Sequence, residues 1–308
     1  MNMEANRQAY GNALVELFER RKDLVVLDAD LAKATYTEIF RKAHPEHFVD
    51  CGIAEANMMG VAAGLAASGM VTFVSTFAVF ASLRAGEQFR NSVCYPHLNV
   101  KVAATHAGVE CGPDGATHQA IEDLALMRAM PGNTVLVPSD PAATRALVFA
   151  AAYHDGPCYL RMGRDKVPDV YDKDTEFHIG GSHKLRDGKD AAILAIGSRV
   201  NEALLAADEL KSCGINAAVF DLYSLKPLDE NAVAEAAACG RIVTVEDHST
   251  VGGLGSAVCE SLCEQGLVAK VKVLGIKDSF GRSAGSQELF KYFHIAKDDI
   301  VKAVKEIL

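Results

Sequence analysis

The sequence lacks an excess of positive charge and has no segment suited to a membrane. Its formal net charge is −9 over 308 residues, so it would not attract nucleic acid or an anionic membrane surface. The stretch Met1–Arg7 has no apolar core of the kind that a signal peptide needs, and no apolar run is long enough to span a bilayer. These features argue against nucleic-acid and membrane partners.

The eight cysteines form no CxxC pair. Cys259 and Cys263 fall one helical turn apart, but no nearby histidine or further cysteine completes the ligand spacing of a zinc site. We therefore expect reduced, mostly buried thiols, no metal ligands in this chain and a cytoplasmic location.

Length and patterning predict two α/β domains. Short apolar segments alternate with helix-like segments, which indicates mainly parallel sheets flanked by helices. The polar stretch from Val167 to Asp190, with its proline and glycines, interrupts this pattern and predicts a linker and hairpin. We place the two consecutive domains at residues 1–167 and 190–308, with the linker or hairpin at 168–189.

Chemically functional side chains follow the predicted strands of the first domain, and open parallel sheets bind ligands beyond those strand ends. Taken singly, each has an ordinary structural explanation. Together they describe carboxylates, an aromatic wall, two histidines and arginines converging on one cleft, which suits proton transfer beside a flat heteroaromatic cofactor and a phosphorylated substrate. These residues are Asp30, Glu55, Phe77, Phe80, His106, Asp114, His118, Arg161 and Arg164.

Glu55 is the most informative of them. It lies in the apolar run Gly52–Met58, at the start of a helix-like segment. Burial disfavours the charged carboxylate, whereas a helix N-terminus favours it, so this group could exchange a proton with a buried ligand nitrogen. An isolated glutamate in this position would more often simply complement the helix terminus.

Several separated motifs resemble the C-terminal half of the transketolase family, namely its pyrimidine-binding domain followed by its C-terminal domain. The resemblance runs nearly end to end and includes the spacing from Arg7 to Leu31. It implies a thiamine-diphosphate-dependent transferase that moves a two-carbon ketol unit from a ketose to an aldose, as in the pentose phosphate pathway. The motifs that carry it are Gly52–Met58, Ser75–Phe77 and Thr105–Gln119.

The resemblance also implies roles around the cofactor. Glu55 would hydrogen-bond N1′ of the aminopyrimidine and so promote the tautomer that deprotonates the thiazolium ring. Phe77 and Phe80 would form the wall beside the ring, and Leu83 stands where the family has a third aromatic residue. Asp30 is also expected among the cofactor-binding residues.

For the substrate, the resemblance implies that Asp114 and His118 contact the reacting hydroxyls and that His118 relays protons. The expected phosphate-binding residues are Arg7, His106 and Arg164. Ala34 replaces a serine that normally joins that cluster, which puts the usual sugar-phosphate specificity in doubt. Arg161 is an additional cation of a kind found in deoxyxylulose-phosphate synthases, and we place it among the candidate substrate-binding residues.

The sequence lacks the Gly-Asp-Gly motif and downstream asparagine through which the family holds the cofactor's diphosphate on Mg²⁺. Pro113-Asp114-Gly115 has proline where glycine is needed. The start just before Arg7 coincides with the expected junction between the two halves of a full-length enzyme. We therefore expect a separate N-terminal subunit that supplies the diphosphate and Mg²⁺ ligands, in a heterotetramer with two copies of each chain.

In the second domain, we expect Gly252–Gly255 to permit a tight helix entry and His248 to be structural. Three other functions stay open: a β-type subunit of a 2-oxo-acid dehydrogenase, a deoxyxylulose-phosphate-synthase-like enzyme, and a catalytically silent scaffold or regulatory half. The presence of Glu55, Asp114 and His118 argues against a silent half, because buried polar groups destabilise a protein unless they are used.

Overall fold

The computed structural model describes residues 3–308 and contains fourteen strands in that range. They are β1 (Met3–Ala5), β2 (Leu24–Asp28), β3 (Phe48–Asp50), β4 (Val71–Phe77), β5 (Val100–Thr105), β6 (Thr134–Leu136), β7 (Cys158–Arg161), β8 (Lys166–Pro168), β9 (His183–Arg186), β10 (Ala191–Ala195), β11 (Ala217–Asp221), β12 (Ser224–Lys226), β13 (Arg241–Ser249) and β14 (Lys270–Ile276).

Helices connect most of these strands. They are α1 (Asn6–Arg20), α2 (Ala32–Thr35), α3 (Glu38–Ala43), α4 (Glu55–Ala67), α5 (Gly86–Gln88), α6 (Asp123–Ala129), α7 (Pro141–Tyr153), α8 (Arg199–Ser212), α9 (Glu230–Ala237), α10 (Leu254–Glu264), α11 (Ser286–Tyr292) and α12 (Lys297–Ile307). Two stretches, Phe80–Arg84 and Phe89–Cys94, are wider π-helical turns on either side of α5. Short 3-10 helices cover Pro45–His47 and Val109–Asp114.

The first sheet has seven strands in the order β12-β6-β7-β5-β4-β2-β3. All its pairs are parallel except β12 with β6. Every residue of β2, β4 and β5 is buried, as expected for central strands that are covered on both faces. The carboxyl ends of β2, β4, β5 and β7 therefore open at one edge of the sheet, where the candidate site lies.

The second sheet has the order β14-β13-β10-β11-β9 and is parallel except for β9. Helices α8 and α12 bury their apolar sides in one hydrophobic cluster with β10 and β13. The predicted fold class, two mainly parallel sheets flanked by helices, is confirmed. No helix among residues 3–308 is long and apolar enough to cross a membrane.

Strand pairing between residues 166 and 186 differs from the expected hairpin. β8 pairs antiparallel with β1, and β9 pairs antiparallel with β11 at the edge of the second sheet. The stretch 168–189 therefore forms no hairpin of its own, because its one strand completes a sheet edge instead. The domain bounds themselves remain a prediction.

One strand crosses from the second half of the chain to the first sheet. β12 follows β11 in sequence, yet it pairs with β6, with Ser224 opposite Leu136. The backbone N–H of Val137 also donates to the carbonyl oxygen of Tyr223 at 2.8 Å. The seven-stranded sheet is thus completed by residues that come after the second sheet has begun.

Candidate active site

Glu55 is the first residue of α4 and is almost fully buried, with 1% of its surface exposed. Gly52 has a φ of +70°, a backbone conformation that suits glycine in the turn leading into the helix. The N-terminal position of Glu55 favours a negative charge through the helix dipole. The sequence interpretation of a buried acid at a helix mouth therefore matches the geometry.

Four rings form a wall beside the end of β4. The phenyl rings of Phe77 and Phe80 are nearly parallel, with an angle of 10° and a centroid distance of 5.9 Å. The imidazole of His106 stacks on Phe77 at 3.9 Å, and the edge of His118 meets Phe80 at 5.4 Å. Residues from the end of β4, from the end of β5 and from the loop that follows β5 thus lie next to one another.

Arg84 joins the acid to this wall, and the sequence analysis did not identify it. Its Nη1 donates to Oε2 of Glu55 at 2.7 Å, and its guanidinium lies 4.4 Å above the ring of Phe80. The spacing of four residues between Phe80 and Arg84 was the available signal, because such residues share one face of a helix. Leu83, next to it, is 52% exposed, and its role beside the cofactor stays a prediction.

A positively charged cluster lies near His106. Arg7 donates from Nε to the carbonyl oxygen of Arg164 at 3.1 Å and from Nη1 to that of Ala34 at 2.6 Å. Burial first, and then the charges of Arg7 and Arg164, lower the pKa of His106 to about 3. His106 is therefore neutral at physiological pH and can donate or accept one hydrogen bond beside two permanent cations.

Thr35 does not replace the serine that is missing at Ala34. The neighbouring Thr35 is buried, and its hydroxyl donates to Oδ2 of Asp28 at 2.8 Å. Oγ1 of Thr35 also lies 3.0 Å from Oγ1 of Thr37. Because Thr35 is used in this way, the anion cluster consists of the two arginines and His106.

The loop that carries Asp114 and His118 is held by both halves of the chain. Nε2 of the buried Gln119 donates to the carbonyl oxygens of Gly112, at 3.2 Å, and Arg282, at 2.8 Å. The hydroxyl of Ser283 donates to the carbonyl oxygen of Pro113 at 2.6 Å. A loop of the second half, which the sequence analysis did not connect with the site, thus supports the predicted substrate loop.

Asp114 and His118 themselves remain accessible. Asp114 is exposed, with Oδ1 3.6 Å from Nη1 of Arg164. Nδ1 of His118 lies 2.9 Å from the hydroxyl of Thr117. Asp30 is exposed at the end of β2, and only its backbone N–H, which donates to Oδ1 of Asp50, makes a hydrogen bond within residues 3–308. Its place in the cofactor site remains a prediction.

Arg161 lies outside this cluster, and its contacts favour a structural role over the predicted substrate role, which stays a prediction. It is buried, and its Nε and Nη2 donate to the two carboxylate oxygens of Asp123 at 2.8 and 3.0 Å. Nη2 also donates to the carbonyl oxygen of Asp247 at 2.9 Å. The carboxylate of Asp247 in turn accepts from the backbone N–H of Val109 and Glu110. Arg161 therefore joins the two halves of the chain.

The glycine-rich entry to α10 is also occupied by protein. Glu246 is buried, and its carboxylate accepts from the backbone N–H of Leu254 and Gly255 at 2.6 and 2.8 Å. A Cβ atom at Gly253 would lie 1.9 Å from Oε2 of Glu246. Because this carboxylate occupies the position that a phosphate would need, the glycines allow close packing instead of binding a ligand. The nearby His248 is buried and structural, with Nδ1 2.8 Å from the carbonyl oxygen of Ser249.

The arrangement fits one end of a thiamine cofactor. A buried carboxylate next to two stacked phenyl rings matches a flat, protonatable heteroaromatic ring such as the aminopyrimidine. The planar cation of Arg84, which lies on Phe80 and donates to Glu55, indicates that such a group is accommodated there. Within residues 3–308, no group of three or more His, Cys, Asp or Glu side chains is arranged to hold a metal ion.

Comparison with known proteins gives matches over nearly the whole chain. Residues 3–169 match the family described as "Transketolase, pyrimidine binding domain", and residues 180–300 match "Transketolase, C-terminal domain". The chain is 45% identical to a putative transketolase C-terminal section of Methanocaldococcus jannaschii over 302 residues, which cover 97% of this chain and 95% of that protein.

Two further relatives are similar over nearly their full lengths. The 6-deoxy-6-sulfo-D-fructose transketolase subunit SqwH of Clostridium sp. is 41% identical over 302 residues, with 98% of this chain and 94% of that protein covered. A solved structure described as "Split gene transketolase, inactive beta4 tetramer" has 51% identity and a TM-score of 0.92, with 99% of this chain and 98% of that chain covered.

Proposed function

The chain belongs to the transketolase family, and from this premise we propose that it is the C-terminal subunit of a split, thiamine-diphosphate-dependent transketolase. The observation that carries the proposal is the buried carboxylate of Glu55 beside the stacked rings of Phe77 and Phe80. The reaction is the transfer of a two-carbon ketol unit from a ketose to an aldose.

When it is bound, the cofactor supplies the carbon nucleophile and the electron sink. The buried carboxylate of Glu55 would hold a proton between itself and N1′ of the aminopyrimidine. Phe77 and Phe80 would hold that ring by stacking. This chain therefore acts on the cofactor by orienting it and by controlling a proton at one ring nitrogen.

The remaining residues act on the sugars. Arg7 and Arg164 provide guanidinium groups for a phosphate or sulfonate, and neutral His106 adds a hydrogen bond. Asp114 and His118 contact the hydroxyls next to the reacting carbonyl. The relative that acts on 6-deoxy-6-sulfo-D-fructose supports a test of sulfonated as well as phosphorylated sugars.

A separate N-terminal subunit is part of the proposal. We assign to it the Mg²⁺ and diphosphate ligands, and we propose a heterotetramer with two copies of each chain in the cytoplasm. The inactive β4 tetramer of the split-gene neighbour supports the view that such a C-terminal subunit does not act alone. The argument for a deoxyxylulose-phosphate synthase weakens, since Arg161, which favoured it, is used in the contact between the two halves.

The test is reconstitution with the N-terminal subunit from the same host. The assembled pair, with thiamine diphosphate and Mg²⁺, should transfer ketol units from ketose donors to aldoses, and either subunit alone should be inactive. Glu55→Gln should lower kcat by at least about 100-fold and leave assembly intact, because it removes the proton exchange at one atom. Consumption of pyruvate without ketol transfer, or full activity of the Gln variant, would contradict the proposal.

A further inference from the structure

We infer that Arg84 is a placeholder for the cofactor's aminopyrimidine in the subunit that has no cofactor. Its guanidinium lies between the carboxylate of Glu55 and the ring of Phe80. We call this space the seat of the aminopyrimidine ring, and Arg84 must leave it when the ring binds. This inference rests on the proposed function, and it gives Arg84 a role in controlling cofactor affinity.

The guanidinium has the features that this seat requires. It is flat, its Nη1 donates to Oε2 of Glu55 at 2.7 Å, and it stacks on Phe80 at 4.4 Å. A protonated aminopyrimidine would offer the same carboxylate an N–H donor and the same phenyl ring a flat face. The two groups therefore compete for the same contacts.

Arg84 is also held loosely enough to leave. Its side chain is 49% exposed, whereas that of Glu55 is 1% exposed. Within residues 3–308, Glu55 is its one hydrogen-bonding partner and Phe80 its one aromatic contact. It ends the π-helical turn Phe80–Arg84, and such turns are frequent at functional sites. A side chain rotation into solvent would open the seat while the backbone stays in place.

The free subunit needs a partner for Glu55. A buried carboxylate without a counter-charge destabilises a protein strongly. Arg84 supplies that charge before assembly, and the bound cofactor takes over its role afterwards. Because only molecules with Arg84 displaced can bind the ring, the apparent dissociation constant of the cofactor exceeds the intrinsic one by the inverse of their fraction.

The test combines four variants of this chain: Arg84→Ala, Glu55→Gln, the double variant and Arg90→Ala. Arg90 is the matched control, since it is an exposed arginine in the same helical region that donates to Asn91. For the isolated chain, the midpoint of thermal unfolding is measured. For the pair assembled with its N-terminal subunit, thiamine diphosphate affinity is measured by isothermal titration calorimetry at fixed Mg²⁺.

We expect Arg84→Ala to lower the unfolding midpoint of the isolated chain and to tighten thiamine diphosphate binding to the assembled pair by about threefold or more. In the Glu55→Gln background, the same change should have little effect on the midpoint, because the charge that Arg84 balances is absent. Arg90→Ala should change neither quantity. The rise in affinity is the decisive readout, since a purely structural role would not produce it.

Two results would overturn the inference. Weaker or unchanged cofactor binding by Arg84→Ala would mean that Arg84 is a ligand of the bound cofactor or has no influence on the seat. An equal loss of stability in both Glu55 backgrounds would mean that Arg84 does not act through Glu55. If the wild-type pair binds no thiamine diphosphate, both the proposed function and the placeholder role of Arg84 are wrong. If the wild-type pair binds the cofactor and the Arg84→Ala pair binds it no more tightly, only the placeholder role is wrong.

Discussion

Replacing Arg161 by methionine separates a role in the contact between the two halves from a role in substrate binding. The guanidinium of Arg161 and the carboxylate of Asp123 are both buried and share two hydrogen bonds of 2.8 and 3.0 Å. Burial raises the pKa of Asp123, but the charge and hydrogen bonds of Arg161 outweigh burial, and the pKa stays below its ordinary value. Methionine keeps an apolar stem and removes the charge.

The expected loss of stability follows from the charge that is left behind. Removing one partner of a buried ion pair leaves the other uncompensated and costs about 3–5 kcal/mol of unfolding free energy. The carbonyl oxygens of Ala120 and Asp247 also lose a donor in the variant. Because Asp123 has a depressed pKa, its contribution is present above its unfolded-state pKa of about 3.9 and is lost as the pH falls through its folded-state value. The deficit of the variant should therefore shrink in acid.

The assay pairs urea unfolding of the isolated chain with kinetics of the assembled enzyme. At a temperature where both proteins are folded, Arg161→Met should leave the ratio of KM values for phosphorylated and neutral acceptors unchanged. The matched control is Arg164→Met, because Arg164 is half-buried in the cluster with Arg7 and His106. Its loss should raise KM for anionic acceptors by about 10-fold or more, which corresponds to the loss of one charge-assisted hydrogen bond. A stable Arg161→Met protein with a selective rise in KM for phosphorylated acceptors would refute the structural assignment.

Three further predictions concern packing, pH and capping. Gly253→Ala should destabilise the isolated chain by about 1–3 kcal/mol in urea unfolding, because its Cβ would overlap the Glu246 carboxylate. The control is Gly64→Ala in α4, which has open space around its Cβ and should be neutral or stabilising. Equal changes in unfolding free energy for the two variants would contradict this account. Burial raises the pKa of Glu110 to about 7, so its contribution to stability is full below its unfolded-state value and is lost as the pH rises through about 7. Glu110→Gln should flatten the melting profile between pH 5 and 8, and an unchanged slope would contradict the buried carboxyl. Asp140→Ala should lower the unfolding free energy by at least about 1 kcal/mol. Asp140 caps α7 by accepting the N–H of Ala143 at 2.7 Å, and it accepts two further backbone N–H groups. An unfolding midpoint within error of wild type would show that the cap is dispensable.

The convergence of the site could be predicted from the sequence because it follows from sheet geometry. Phe77 ends one parallel strand and His106 follows the neighbouring strand, so their meeting at 3.9 Å requires only that both strands run the same way. Glu55 could be identified by its apolar surroundings and its place at a helix start. These are short-range patterns with a fixed geometric consequence.

Arg84 and Arg161 could not be assigned in this way. Which arginine faces a substrate and which one pairs with protein depends on contacts between distant segments. Arg161 lies next to Asp123 and to the backbone of Asp247, which is 86 positions further along the chain. Arg84 depends on the conformation of one long side chain above Phe80. Charge and spacing indicate that a cation is present, but its partner is decided by packing.

Short strands are hard to predict for a related reason. β9 and β12 contain only a few residues each and are stabilised by pairing with neighbours far away in sequence. Their own composition carries no strong alternation, so they resemble ordinary loop segments. The terminal helix α12 carries a clearer signal, because its buried residues recur at helical spacing.

The crossing of β12 has a practical consequence for anyone who wishes to produce the pyrimidine-binding half alone. A fragment that stops at residue 189 would remove the outermost neighbour of β6 and leave that strand's backbone hydrogen-bonding groups bare. Bare edges of this kind recruit other chains and promote aggregation. Extending the fragment through Lys226 would retain β12 but would bare β10 instead, because its neighbour β13 comes later in the chain. The two halves of this protein are therefore to be treated as one unit of expression.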